Sequence, residues 1–221
     1  MNIALITLFP EVFTPITKAS ILKRAQNKSL VKFKFVNPRD FAKDKRKTVD
    51  DKPYGGGAGM VMKVDVLHKA ISSLKPKPYL VLLSASGAKF TQKKARAFST
   101  KENLALICGH YEGVDARVEN YVDEVVSIGD YVLTGGEIPA MVILDSIVRL
   151  IPGVINSKSP QDESFEKNLL EYPQYTRPEV YQKKSVPNIL LTGNHQQIAE
   201  WRKDQSEKRT KKYRPDLAKS S

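Results

Sequence analysis

The sequence predicts an α/β protein built on a mostly parallel sheet and followed by a small, basic, helical C-terminal domain. Three observations carry this. Short apolar runs alternate with helical patterns over the first 150 residues, the order of elements that an α/β fold requires. Three of those runs, at 3–9, 79–84 and 104–108, are near-continuously hydrophobic, like strands buried on both faces of a parallel sheet. Beyond a polar stretch without periodicity, residues 183–221 hold ten Lys or Arg against four Asp or Glu.

Taken in order, residues 3–9 read as a strand. No basic region precedes them, and the run is too short for a signal-peptide core followed by a cleavage site. A helical pattern covers 11–28. Residues 31–36 alternate, with Val31, Phe33 and Phe35 on one face and Lys32 and Lys34 on the other, as in a half-exposed strand near a sheet edge. Further helices are expected at 63–73, 92–99 and 139–150. Val125, Val126 and Ile128 read as the end of another buried strand. Residues 156–168 are polar and aperiodic and read as a mobile linker between a domain at 1–155 and one at 169–221. The last domain's best element is a helix from Asn194, a good N-cap, to about residue 212, with Ile198, Ala199 and Trp201 as its apolar stripe.

Composition narrows the function. The 221 residues carry a net charge of +12 and a pI near 9.6, which points to a polyanionic partner, nucleic acid ahead of anionic membrane. Cys108 is the one cysteine, so no internal disulfide can form; its place in an apolar run makes it a buried strand residue. His68, His110 and His195 are too scattered for a metal site. The richest apolar stretch, 138–155, contains Asp145 and Arg149, so no membrane span is expected and the protein should be soluble and cytoplasmic.

Chemistry concentrates in glycine-kinked loops. Ser-Ile-Gly-Asp-Tyr-Val-Leu-Thr-Gly-Gly-Glu-Ile-Pro-Ala at 127–140 joins a strand end to a proline-opened helix, and Gly129, Gly135 and Gly136 let a ligand approach the main chain closely. Gly-His-Tyr-Glu-Gly-Val-Asp-Ala-Arg at 109–117 and the residues at 84–87 also follow strands. Three loops at the carboxyl ends of strands of one sheet are expected to converge over one pocket, the usual ligand position in such sheets. A bulky residue at Gly135 or Gly136 should then block the ligand and spare the fold. Asp-Asp-Lys-Pro-Tyr-Gly-Gly-Gly-Ala-Gly-Met at 50–60 lacks the Gly-Lys-Ser/Thr ending of a P-loop and reads as a flexible binding or interface loop.

These segments, with Thr-Leu-Phe-Pro at 7–10, Asn-Pro-Arg-Asp-Phe at 37–41 and Tyr-Pro-Gln-Tyr-Thr-Arg-Pro at 172–178, closely resemble the bacterial tRNA (guanine-37 N1)-methyltransferases of the SPOUT, or trefoil-knot, class, nearly end to end. The resemblance implies a homodimer that binds S-adenosylmethionine in a deep trefoil knot and methylates the guanosine 3′ to the anticodon, which helps maintain the reading frame. By position, Leu83, Ser84, Gly109, Tyr111, Glu112, Gly113, Ile128, Gly129, Asp130, Tyr131, Val132, Leu133, Gly135, Gly136 and Pro139 would line the cofactor site. Pattern alone predicts an open sheet, since knots are rare.

Guanine's ring nitrogen 1 carries a proton, so a general base must remove it as the methyl group transfers, and a fixed cation should stabilise charge developing on the carbonyl oxygen. The resemblance implies Arg149 as that cation. It places the base in the linker, where the family shows Asp directly before Ser-Phe and orders the linker over the neighbouring subunit's cofactor. Here Glu163 holds that register, with Asp162 one position earlier, and either carboxylate could reach. The linker is about one residue shorter than the family's, and the helices that follow in longer relatives are not expected after Leu217. Whether magnesium is needed stays open. Two alternatives remain at this stage: a SPOUT enzyme acting on another RNA such as ribosomal RNA, or an RNA-binding protein that has lost its base.

Overall fold

The structure, a computed structural model, describes residues 1–156, 163–165 and 168–218. Its contacts divide the chain into two compact units, Met1–Ile155 and Asn156–Ser221.

The first unit is built on five parallel strands: β1 (Asn2–Ile6), β2 (Lys32–Val36), β5 (Tyr79–Lys89), β6 (Asn103–Cys108) and β7 (Glu124–Ser127), in the order β2-β1-β6-β5-β7. A short antiparallel pair, β3 (Asp50–Asp51) and β4 (Val61–Met62), stands apart from it. Helices α1 (Thr14–Thr17), α2 (Ser20–Asn27), α3 (Val64–Ser72), α4 (Gln92–Ser99) and α5 (Glu137–Val148) connect the strands.

The near-continuous apolar runs have a direct cause. Side chains alternate along a strand, so Ile3 and Leu5, Val81 and Leu83, Leu104 and Leu106 join one core cluster with α2, α4 and α5. Their neighbours Ala4 and Ile6, Leu80 and Leu82, Ala105 and Ile107 join a second cluster with α3. With both faces covered, every position must be apolar. β2 is an edge strand, as its alternation predicted, and its lysines stay exposed. The α/β class with a mostly parallel sheet and C-terminal helices is therefore the observed one.

Some element boundaries differ from expectation. The pattern at 11–28 is interrupted: a 3-10 turn at Pro10–Phe13, α1, then an extended Ala19 (φ −111°, ψ 153°) before α2. Thr17 turns its hydroxyl onto the Phe13 carbonyl at 2.8 Å, and the Gln26 amide reaches back to the Thr17 carbonyl at 2.5 Å, so the groups left open by the break are satisfied locally. β5 runs to Lys89 because residues beyond Leu83 loop out and return: Leu83 and Ala88 both face Val126 across the pairing with β7. Helix α5 starts at Glu137, two residues before Pro139, whose missing N–H falls in the first turn where no intrahelical partner exists.

In the second unit, α6 (His195–Tyr213) begins at Asn194, whose side chain accepts from the Gln197 N–H at 3.2 Å. It is followed by α7 (Pro215–Ala218) and preceded by a small hairpin of β8 (Val180–Tyr181) and β9 (Lys184–Ser185). The predicted stripe is corrected in part. Ala199 is exposed, whereas Ser206 and Thr210 are buried. Thr210 bonds the Ser206 carbonyl and accepts from the Leu170 N–H at 2.8 Å, so hydroxyls rather than methyls seat the segment packed against the helix. Trp201 meets Tyr175, and Arg202 covers the ring of Tyr172. Most of the predicted linker, Asp162 included, lies outside the described residues.

Cys108 is 1% exposed, and burial, then the neighbouring Glu137 carboxylate, pushes its thiol well above the ordinary range. Native protein should resist iodoacetamide at pH 8 and be alkylated fully once unfolded in guanidinium, with mass spectrometry as the readout. Alkylation at the same rate in both states would contradict this packing.

Candidate active site

The three predicted loops meet. A cleft of about 380 Å³ opens at the carboxyl ends of β5, β6 and β7 and is lined from all three. That volume suits a small organic ligand. Of the residues named for the cofactor, all but Asp130 line it. Asp130 turns outward into solvent, 3.6 Å from Lys89. The lining also includes Ala85, Ser86, His110 and Thr134, which belong to the predicted loops but were not named for the cofactor, and Glu119, which lies outside those loops.

Each loop is shaped by a local device. Ser127 donates to the Gly129 carbonyl at 3.0 Å and accepts from the Gly129 N–H, closing a tight turn directly after β7. On the β6 loop, Tyr111 sits at φ +60°, a conformation that a non-glycine residue holds only when its surroundings enforce it. They do: Gly113 N–H donates to the His110 carbonyl, and Glu112 N–H donates to Met60 at 3.0 Å. At the far end, hydrogen bonds from Arg117 hold the Asp115 carboxyl below its usual range. The β5 loop depends on Gly87, where a Cβ would lie 2.5 Å from the Val126 nitrogen. Its signal in the sequence was only an isolated glycine in a strand.

Gly136 makes a second close approach of main chain to main chain. Its N–H donates to the Gly109 carbonyl at 2.7 Å, and a Cβ there would stand 2.6 Å from Cys108 Cα. Glu137, the next residue, is buried; it accepts from the Thr7 hydroxyl at 2.8 Å. Its other oxygen is 4.0 Å from His110 Nδ1, the one buried side-chain nitrogen or oxygen without a hydrogen-bond partner among the described residues. His110 is wedged between Phe9 and Tyr111.

Arg149 caps the C-terminus of α5, half-buried and outside the cleft lining. Glu163 lies in a turn of the second unit, where Ser164 accepts from the Glu171 N–H and Arg214 stacks over Phe165. No group of three or more His, Cys, Asp or Glu that could hold a metal exists among the described residues. Among them, too, no helix is long and apolar enough to cross a membrane.

Fold and site together define an α/β protein with a cleft of small-ligand size, walled by glycine-kinked loops at its strand ends, and with a second unit built around a long polar helix. A sequence model described as "tRNA (Guanine-1)-methyltransferase TrmD" matches residues 1–220. Proteins named tRNA (guanine-N(1)-)-methyltransferase from Dictyoglomus turgidum and Geobacillus kaustophilus are 53% and 52% identical to this chain. The alignments cover 98% of this chain and 89% and 91% of theirs. A namesake from Carboxydothermus hydrogenoformans is 52% identical over 99% of this chain and 88% of its own length. The chain belongs to the tRNA (guanine-1)-methyltransferase TrmD family.

The glycine contacts refine one expectation. At Gly135 an added Cβ would meet side-chain atoms, a Glu137 carboxylate oxygen at 2.5 Å and His110 Nδ1 at 2.8 Å, which can shift more than a sheet backbone can. At Gly136 it would meet the backbone of a buried strand. Gly136→Ala should therefore destabilise the fold itself, by roughly 1–3 kcal/mol, and Gly135→Ala by clearly less. Thermal melting of the two variants measures this; equal midpoints would show that the β6 backbone yields.

Proposed function

We propose that this chain transfers a methyl group from S-adenosylmethionine to ring nitrogen 1 of a guanine in tRNA, at the guanosine 3′ to the anticodon. The observation that carries the reading is the cleft of three converging loops, in a chain about half identical over nearly all its length to tRNA (guanine-N(1)-)-methyltransferases.

The cleft suits such a donor. Gly87 and Gly136 keep side chains off the main chain where the loops cross, and the lining mixes apolar Leu83, Ile128 and Leu133 with open backbone groups. Leu83, Ser84, Gly109, Tyr111, Glu112, Gly113, Ile128, Gly129, Tyr131, Val132, Leu133, Gly135, Gly136 and Pro139 would hold it. When bound, the donor supplies an electrophilic methyl group. The remaining work falls to the protein. A carboxylate of the 162–163 pair accepts the proton from the guanine ring nitrogen, and the Arg149 guanidinium offsets negative charge on the guanine carbonyl.

The proposed assembly is a homodimer in which the linker of one subunit completes the site of the other. Ile138 and Val142, four residues apart on α5, are both exposed, as an interface helix requires. The basic second unit would contact the tRNA.

Single-turnover methyl transfer to a tRNA with guanosine at position 37, preceded by another guanosine, tests the base. Glu163→Gln should slow transfer on the order of 10²–10⁴-fold while calorimetry shows donor binding nearly intact. Asp162→Asn should be mild. The reverse ranking would assign the role to Asp162, and two near-normal rates would sink the linker-carboxylate mechanism. Incorporation into ribosomal RNA in place of tRNA would overturn the substrate.

A further inference from the structure

The chain's positive charge is not concentrated where its basic tail suggests. Residues 18–47 hold eleven Lys or Arg against two Asp, a net +9. Residues 156–221, the whole second unit, hold thirteen Lys or Arg against nine Asp or Glu, a net +4. All other residues together come to −1, so one segment of the first unit accounts for three-quarters of the total of +12.

The structure places this segment along one edge of the sheet. Lys23 and Arg24 are exposed on α2, which leads into β2; Lys32 and Lys34 are exposed on β2, the edge strand; Lys45 and Arg46 are exposed in the loop that follows. Lys32 and Lys34, two residues apart, project from the same side of the strand. The two local carboxylates are already engaged. Asp40 pairs with Lys47 at 3.3 Å, and Asp44 accepts from the Thr48 hydroxyl and amide and the Arg46 amide, which hold it below its ordinary range. Among the described residues, the six cations just named have no carboxylate partner.

We propose that this edge is a phosphate-backbone contact surface for RNA, stronger in charge than the second unit. The inference rests on the RNA substrate proposed above. Unpaired cations spread over a strand, a helix and a loop match a polyanion read by its backbone, because each contact releases counterions. A membrane surface fits less well. The apolar residues of α2, Ile21, Leu22 and Ala25, pack on the core, leaving no apolar stripe on this helix to insert. The cleft is built on β5, β6 and β7, and β1 alone lies between β2 and β6, a span of roughly 10 Å at normal strand spacing. Within one protomer, this edge therefore contacts backbone beside the nucleotide in the cleft and not the base itself.

The test uses the full-length protein with Lys32, Lys34, Lys45 and Arg46 all changed to Gln, and tRNA binding measured at several salt concentrations. The log–log salt slope should fall by roughly 0.7–0.9 per lost contact, so by up to roughly 3.6 if all four make contact. Affinity at low salt should drop at least tenfold. KM for tRNA should rise while single-turnover transfer at saturating tRNA and donor affinity are kept. A control with Lys75→Gln and Lys77→Gln, at the opposite end of β5, should leave the slope unchanged. An unaltered slope in the fourfold variant would overturn the surface and leave methyl transfer to tRNA standing. An equal loss per charge in the control would reduce it to a net-charge effect and also overturn it. Loss of binding to phosphatidylglycerol vesicles with tRNA binding intact would assign the edge to membrane instead. If the unaltered protein neither binds nor methylates tRNA, the functional reading fails first and the surface with it.

Discussion

The contact of Gly136 with the backbone of β6 is the constraint on which the rest of the site depends. Two main chains meet there at a distance that leaves no room for a Cβ, and the N–H of Gly136 closes onto the Gly109 carbonyl. This pins the loop after β7 across the end of β6 and starts α5 at that point. It also carries Glu137 inward, beneath the cleft, to the Thr7 hydroxyl at the end of β1. One glycine thus ties β1, β6, the β7 loop and α5 into a single junction. The cleft is the space left above it.

Such a junction is expensive locally and cheap globally. It contains a buried carboxylate, an imidazole nitrogen without a partner and a tyrosine in the left-handed region, which alone costs roughly 1–2 kcal/mol. Each fully buried aliphatic side chain in the flanking clusters contributes about 1.5–3 kcal/mol, and there are many. The apolar layers on both faces of the sheet therefore hold the polar junction in a geometry that it would not keep alone.

Charge is organised independently of this core. Exposed cations are sparser on the strands of the cleft and the helices that cover them than along the β2 edge, where Lys23, Arg24, Lys32, Lys34, Lys45 and Arg46 are all exposed. Edge strands need charge to discourage pairing with other chains. The same residues then present a cationic border, so one feature serves both solubility and attraction of a polyanion.

Much of this was legible in the sequence. The apolar runs of β1, β5 and β6, the alternation of β2, and the cap at Asn194 are local signals, and the structure places them where the pattern does. Convergence of three loops followed from one rule about strand ends. What the sequence could not show depends on residues distant along the chain. The bulge of β5 at Gly87 exists because β7 passes against it, and the polar seat of α6 because Leu170 offers an N–H to Thr210. Asp130 stands in the motif yet points to solvent, since a motif specifies order and not direction. By itself the sequence determined the α/β class, the three loops that meet at the cleft and the family, because these rest on periodicity and residue identity. Only the tertiary structure decided which loop residues face the cleft, how closely Gly136 meets β6, and that Glu137 lies under His110, because these are distances between segments that the chain order leaves free.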